Sequence, residues 1–264
     1  MDKINIYKIN QWKNKKFKFA AITAYDFSFS KLFSDYGIPI ILVGDSLGMV
    51  IQGNNSTLNV TLENMKYHTK AVRKGAPNKF IISDLPFMTF MNKHQALKNS
   101  CLLIKSGANM IKLEGNIRIK KIIKYLSKKS ILTCCHLGLK PQNIHKEGQY
   151  KIYGNSIKDK KNIIQEAIIL EKSGANMILL ECVSNNISKI ITKKLKIPVI
   201  GIGSGKHTDG QILVMHDMLG INKEKKHKFV KIFLKKNISL KESIKNYIKE
   251  VKLGKFPSKK HTFF

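Results

Sequence analysis

The sequence predicts a (β/α)8 barrel, and three observations carry that prediction. Eight short apolar or β-branched runs recur along the 264 residues, and connections with helical periodicity often separate them. One unit is also written twice, as "KSGANMIKLEG" at 105–115 and "KSGANMILLEC" at 172–182. Repeated sequence marks repeated structure. Each copy reads as a helix end, a capping glycine and a buried strand that closes on a glutamate, Glu114 or Glu181. The length suits a single barrel domain over 1–264 with an N-terminal helical extension. A doubly wound open sheet is the alternative with the same alternation.

The runs can be justified in order. "FAAIT" leads into Tyr25 and Asp26. A helix stop at Gly37, before Ile38-Pro39, introduces "IPIILVG", which ends on Gly44, Asp45 and Ser46. A second stop at Gly75, before Pro77, introduces "KFIIS", followed by Asp84. Gly107 precedes "NMIKL", which carries Lys112 and closes on Glu114. "SILTC" runs to His136, and "NMILL", after Gly174, closes on Glu181. "IPVIGI" reaches Gly203, and "QILVM" reaches His216 and Asp217. Acidic residues number only 17 against 48 lysines and arginines, yet they gather at these strand ends. In a barrel those ends converge on one mouth, the usual place of the active site.

Asp45, Asp84 and Glu114 end three consecutive strands. Carboxylates brought together repel one another unless a cation or proton neutralises them, and an all-oxygen set favours Mg²⁺. One strand-end carboxylate alone is more often a helix cap; three in succession favour metal. Lys112 stands two residues before Glu114, so both side chains point into the barrel, where the lysine pairs with an anionic substrate or with its carboxylate neighbours. Glu181, beside Leu179 and expected across the barrel from the consecutive metal cluster, is a candidate general base. His136 is a candidate for orienting the substrate, with a satisfied barrel histidine as the plain alternative.

Composition narrows the class. The net charge of +31 invites nucleic acid as a partner, but arginine occurs only at Arg73 and Arg118. Lysines spread along the chain read as a solvated surface, so no specific nucleic acid is expected. No run of eighteen apolar residues exists, so no helix spans a membrane. Cys101, Cys134, Cys135 and Cys182 show no CxxC spacing and read as buried thiols of a cytoplasmic protein. "GDSL" at 44–47 matches a serine esterase nucleophile motif, but no histidine has Asp three positions before it. "GIGSG" at 201–205 lacks the last glycine of a dinucleotide loop and reads equally as a tight turn.

Taken together, "TAYDFSFSKLFSDYGIPIILVGDSLGMVIQG", "VTLENMKYHTKAV", "SDLPFM", "IKLEG", "HLGLKPQ", "LLECV", "IPVIGIGSG" and "TDGQILVMHDMLGI" resemble the 3-methyl-2-oxobutanoate (ketopantoate) hydroxymethyltransferase family. The resemblance covers nearly the whole chain. It implies the barrel fold, Mg²⁺, a homodecamer, small-molecule substrates and the first committed step of pantothenate synthesis. The one-carbon donor would be 5,10-methylenetetrahydrofolate. Asp45 and Asp84 would bind Mg²⁺, with Glu114 a further ligand, direct or through water. Ser46 and Lys112, with the two aspartates, would hold the ketoacid, and Glu181 would be the base. The loop 53–61 lacks the family's usual His-acidic pair and proline, and Asn116, Cys135 and Gln149 stand where glycines are common. These departures are expected to loosen loops or lower stability. Two other functions fit the same residues: another Mg²⁺-dependent, enolate-forming carbon–carbon lyase, or a basic nucleic-acid-binding protein with a dead barrel.

Overall fold

The computed structural model describes residues 3–148, 151–221 and 227–264. Its strands are β1 (Phe19–Thr23), β2 (Ile40–Val43), β3 (Phe80–Asp84), β4 (Met110–Glu114), β5 (Thr133–Gly138), β6 (Met177–Glu181), β7 (Val199–Ile202) and β8 (Gly210–Leu213). Each pairs in parallel with the next, and β8 closes on β1. An open sheet would leave two edge strands with one partner each; here β8 pairs with β1 and every strand has two partners, so the sheet is a barrel. Strands covered on both faces need apolar residues at every position. That is why these read as continuous apolar runs rather than alternating ones.

Around the strands lie α1 (Ile6–Asn14), α2 (Phe27–Asp35), α3 (Leu47–Val50), α4 (Leu62–Gly75), α5 (Lys93–Lys105), α6 (Lys120–Lys128), α7 (Ile144–Glu147), α8 (Ile157–Lys172), α9 (Asn185–Lys194), α10 (Met215–Leu219) and α11 (Leu240–Lys252). The first of these is the expected N-terminal helical extension. Side-chain caps begin several of them. Asp26 accepts from Phe29 N at 2.8 Å, and Thr61 and Ser239 form capping boxes with Asn64 and Glu242. Asp26 is therefore a cap at the strand end. Tyr247 of α11 clamps the seam: its hydroxyl lies 2.8 Å from the Ala21 carbonyl on β1 and 3.0 Å from that of Gln211 on β8.

The repeat has a structural reason. Gly107 and Gly174 adopt φ of +115° and +101°, conformations that side chains other than glycine rarely take. The asparagine two residues later then pairs with the preceding strand as a strand residue would. Asn109 N donates to the Ile81 carbonyl at 2.7 Å, while its Oδ1 accepts from Ile81 N at 2.8 Å. Asn176 repeats this with Thr133, at 2.9 and 3.0 Å. Gly37 is a stop of the same kind, with φ +96°. Gly75 is not: it is the last residue of α4, and a Cβ there would run into Ser30 Oγ and the Phe27 carbonyl. Close packing of α2 on α4 explains that glycine better than a left-handed cap.

The residues that depart from the family's usual pattern have identifiable places in the fold. Asn116 caps a short 3-10 turn by accepting from Arg118 N at 3.0 Å, and Cys135 is fully buried on β5. In the loop 53–61, Asn54 N donates to the Gly48 carbonyl at 2.8 Å and Thr57 is buried. Gln149 lies outside the described residues. The "GIGSG" segment is a tight turn, with Gly203 and Gly205 at φ +62° and +74°. Its Ser204 hydroxyl donates to the Leu180 carbonyl at 2.8 Å and accepts from Val183 N at 3.2 Å.

Candidate active site

The C-terminal ends of β2–β6 bring the sequence-predicted groups together. Asp45, just past β2, and Asp84, at the end of β3, touch directly: Asp45 N donates to Asp84 Oδ2 at 3.0 Å. Gly44 leaves room for this, since a Cβ there would stand 2.8 Å from Ser46 Oγ and 3.6 Å from Asp84 Oδ2. Lys112, on β4, pairs with Asp84 Oδ1 at 2.8 Å. Asp45, Asp84, Lys112 and Glu114 are all buried, so their charges interact at low dielectric. Of the two partners weighed for Lys112, the neighbouring carboxylate is in place. Ser46 Oγ lies 2.9 Å from Tyr25 OH, and this partner is a phenol rather than the histidine an esterase serine needs.

His136 links the two copies of the repeat. It sits on β5 between them, with Nδ1 3.3 Å from Glu114 Oε1 and Nε2 3.2 Å from Glu181 Oε2. Both ring nitrogens lie close to a carboxylate oxygen, but both contacts are off the line of a hydrogen bond, and neither is an ion pair unless the imidazole is protonated. Glu181 is thus not across the barrel from the cluster but two strands from Glu114, with the β5 imidazole between the two carboxylates. The repeat supplies two equivalent glutamates, and the strand between them supplies the group that both touch.

Burial sets the electrostatics. It raises Asp45 well above the usual carboxylate range, and the charge of Asp84 adds to the rise. Glu114 is pushed up to about 7, first by burial; Lys112 opposes the rise and Asp84 reinforces it. For Lys112, burial favours the neutral amine, but Asp84, Asp45 and Glu114 together hold the ammonium and raise its pKa. Burial and the charge of Lys112 lower His136, with Glu181 opposing. Burial also pushes the Cys134 thiol up to about 12 and raises Cys135 and Cys182, which leaves these free thiols inert.

The donor set fits a divalent cation in chemistry. Three carboxylates and one ammonium leave a buried excess of two negative charges when all are ionised. Glu114 Oε1 is buried with no hydrogen bond, and Asp84 Oδ1 is buried with the Lys112 ammonium 2.8 Å away. Hard oxygen donors of that charge suit Mg²⁺. Among the described residues, no three His, Cys, Asp or Glu side chains stand close enough to hold a metal as they are placed. Lys112 holds Asp84 Oδ1, and Gln142 holds one oxygen each of Glu114 and Asp45.

Gln142 was not singled out by the sequence, although it lies within the "HLGLKPQ" motif. It is buried against the carboxylates from the turn after β5. His216 packs at a tilt of 42° against Tyr25, the partner of Ser46, with ring centroids 5.7 Å apart. Asp217 stands in the first turn of α10, and burial raises its pKa. Gly203 serves the turn after β7. These groups follow β1, β7 and β8, whereas the carboxylate cluster stands at the ends of β2, β3 and β4.

A family model described as ketopantoate hydroxymethyltransferase matches residues 3–259. Relatives named 3-methyl-2-oxobutanoate hydroxymethyltransferase include one from Buchnera aphidicola subsp. Schizaphis graminum, 59% identical over the whole of both chains. Another, from Wigglesworthia glossinidia brevipalpis, is 52% identical, and one from Aliivibrio fischeri (strain MJ11) is 44% identical, each also over the whole of both chains. Among solved structures, a phosphonopyruvate hydrolase complex with oxalate and Mg²⁺ aligns with TM-score 0.63 at 12% identity, covering 84% of this chain and 85% of its own. A 2,3-dimethylmalate lyase of the PEP mutase/isocitrate lyase superfamily aligns with TM-score 0.59 at 12% identity, covering 82% and 80%. At such identity the structural likeness concerns the fold.

Proposed function

The chain belongs to the ketopantoate hydroxymethyltransferase family, and on that premise we propose how its barrel mouth performs the family's reaction. The enzyme adds a hydroxymethyl group to 3-methyl-2-oxobutanoate, giving ketopantoate for pantothenate biosynthesis. Family membership favours this transfer over the lyase and the dead-barrel binding protein.

In our reading, Asp45, Asp84 and Glu114 hold Mg²⁺, and 5,10-methylenetetrahydrofolate supplies the one-carbon unit. When bound, Mg²⁺ supplies Lewis-acid stabilisation of negative charge developing on the keto oxygen. Lys112 attracts the anionic ketoacid, and Ser46, held by Tyr25, orients it by hydrogen bonding. Glu181 accepts the proton from C3 of the ketoacid. The freed electron pair forms the new carbon–carbon bond to the one-carbon unit as one of its two C–N bonds opens; water then replaces the second C–N bond with the hydroxyl, and the proton from C3 and the remaining water proton go to the two nitrogens of the departing tetrahydrofolate. His136 holds the Glu181 carboxylate in its working orientation.

One observation carries the assignment of the base. The side chain of Glu181 is 15% exposed, against 3% for Glu114 and 2% for Asp84. A base that meets an incoming carbon acid must face the mouth, while cation ligands need to be enclosed. Deuterium exchange at C3 of the ketoacid, followed by NMR without folate, isolates the proton transfer. Glu181→Gln should slow it roughly a hundred- to ten-thousandfold while ketoacid binding persists. Exchange at the wild-type rate would remove Glu181 from that role. Product formation with each of Mg²⁺ and methylenetetrahydrofolate withheld in turn tests the cofactor and donor.

The cytoplasmic location and the homo-oligomeric, decameric state belong to the same proposal, supported by the family resemblance. Light scattering on the eluting protein tests the assembly. No helix among the described residues is long and apolar enough to cross a membrane.

A further inference from the structure

The segment leaving β5 is built to return one residue to the mouth. Gly138, at φ +90°, passes so near the Glu181 carbonyl that a Cβ would collide with it. Leu139 N then donates to that carbonyl at 2.9 Å. Lys140 is extended, as the residue before a proline must be, and Pro141 opens a 3-10 turn over Pro141–Asn143. The first N–H groups of a helical turn have no partner within it. Gln142 N is one of these, and it donates to Glu114 Oε2 at 3.0 Å.

The side chain of the same residue reaches further. Gln142 Nε2 donates to Asp45 Oδ2 at 2.7 Å and to the Leu85 carbonyl at 3.1 Å. The Leu85 carbonyl is a pure acceptor, which fixes the amide with nitrogen toward it and toward Asp45. Through these three bonds Gln142 ties the ends of β2, β3 and β4 to the turn after β5. It neutralises nothing, since the amide carries no charge. Its effect is geometric: one oxygen of Asp45 and one of Glu114 are fixed, which sets the direction of the other.

We infer that Gln142 is a positioning residue for the cation site, holding the Asp45 and Glu114 carboxylates in the orientation that lets them share one divalent ion. The inference rests on the metal reading above. Groups that orient metal-binding side chains typically account for about ten- to a hundredfold in metal affinity. Gln142→Met keeps the length and bulk of the side chain and removes its N–H donors, while the backbone bond to Glu114 remains.

The test is titration of the full-length protein with Mn²⁺, read by the electron paramagnetic resonance signal of the free ion. Mn²⁺ accepts the same oxygen ligands as Mg²⁺. Gln142→Met should weaken Mn²⁺ binding about tenfold or more, and saturating Mn²⁺ should restore kcat to within about threefold of wild type. In an Asp45→Asn background the same change should cost little further affinity, because the partner is already altered. Unchanged Mn²⁺ affinity in Gln142→Met, with or without a lower thermal midpoint, overturns the inference and leaves the metal reading standing. A wild-type protein that binds no Mn²⁺ overturns both. If Gln142→Met does not fold, Gln142→Asn takes its place, its amide one methylene short of Asp45.

Discussion

Glu114 has a burial cost that pH should reveal. Its pKa rises from an ordinary 4.5 to about 7, because burial and Asp84 disfavour the ionised form more than Lys112 favours it. A carboxyl with a raised folded-state pKa contributes stability that is fully present below about 4.5 and lost as pH rises through about 7. Protein freed of metal with a chelator should therefore lose thermal stability across that window, and Glu114→Gln should lose less. Mg²⁺ should raise the midpoint of the wild type more at pH 8 than at pH 5, since it binds the ionised group. Scanning calorimetry over that range checks this; parallel curves for wild type and Glu114→Gln would count against it. Residue types and strand-end positions made Asp45, Ser46, Asp84, Lys112, Glu114 and Glu181 legible in the sequence. Gln142 was not, because a neutral amide in a turn gives no signal of charge or spacing.

The repeated element shows which of its residues serve the fold and which the chemistry. Asn109 and Asn176 each complete a ladder where the chain enters a strand. Asn109 does more, because its Oδ1 also accepts from Arg73 Nη2 at 2.6 Å. Arg73, one of only two arginines, donates as well to the carbonyls of Gly107, Ala76, Pro77 and Lys79. It is a staple between α4, β3 and β4, and no nucleic-acid contact is needed to explain it. Asn176→Ala should destabilise by about 1–3 kcal/mol through the unpaired Thr133 N–H, and Asn109→Ala by more, since a guanidinium N–H is stranded too. Urea denaturation measures both, and equal losses would show that Arg73 finds another acceptor. The two copies diverge at their last residue. Cys182 takes φ +51° directly after Glu181, where the first copy has Gly115 at an ordinary φ. A strained non-glycine residue beside the proposed base holds that turn open to Tyr153, whose N donates to the Cys182 carbonyl at 2.8 Å.

Over the whole molecule, a charge of +31 acts as mutual repulsion. Surface pairs such as Lys31–Asp35 and Lys66–Glu63 engage only a few of the 48 basic residues. Solvated pairs of this kind contribute roughly 0–1 kcal/mol each, so the mean repulsion should dominate. Raising salt from about 10 mM to about 300 mM shortens the screening length from roughly 30 Å to below 10 Å. The thermal midpoint should rise over that interval, by a few degrees. A fall would mean that the sparse ion pairs outweigh the repulsion among unpaired lysines. The buried pair of Lys112 and Asp84 is shielded from solvent and should contribute little to the salt dependence.

The sequence by itself determined the barrel, because strands buried on both faces must be continuous apolar runs and the glycine stops between them are local demands of the backbone. It also determined the carboxylates of the mouth, since position at a strand end is a local property once the strand is known. Only the tertiary structure decided their partners. That His136 touches both glutamates follows from β5 lying between β4 and β6, and that Gln142 joins Asp45 to Glu114 follows from a turn folding back over three strands. Such contacts link residues far apart in the chain, and their distances are fixed by the closure and stagger of the sheet. No spacing along the sequence records them.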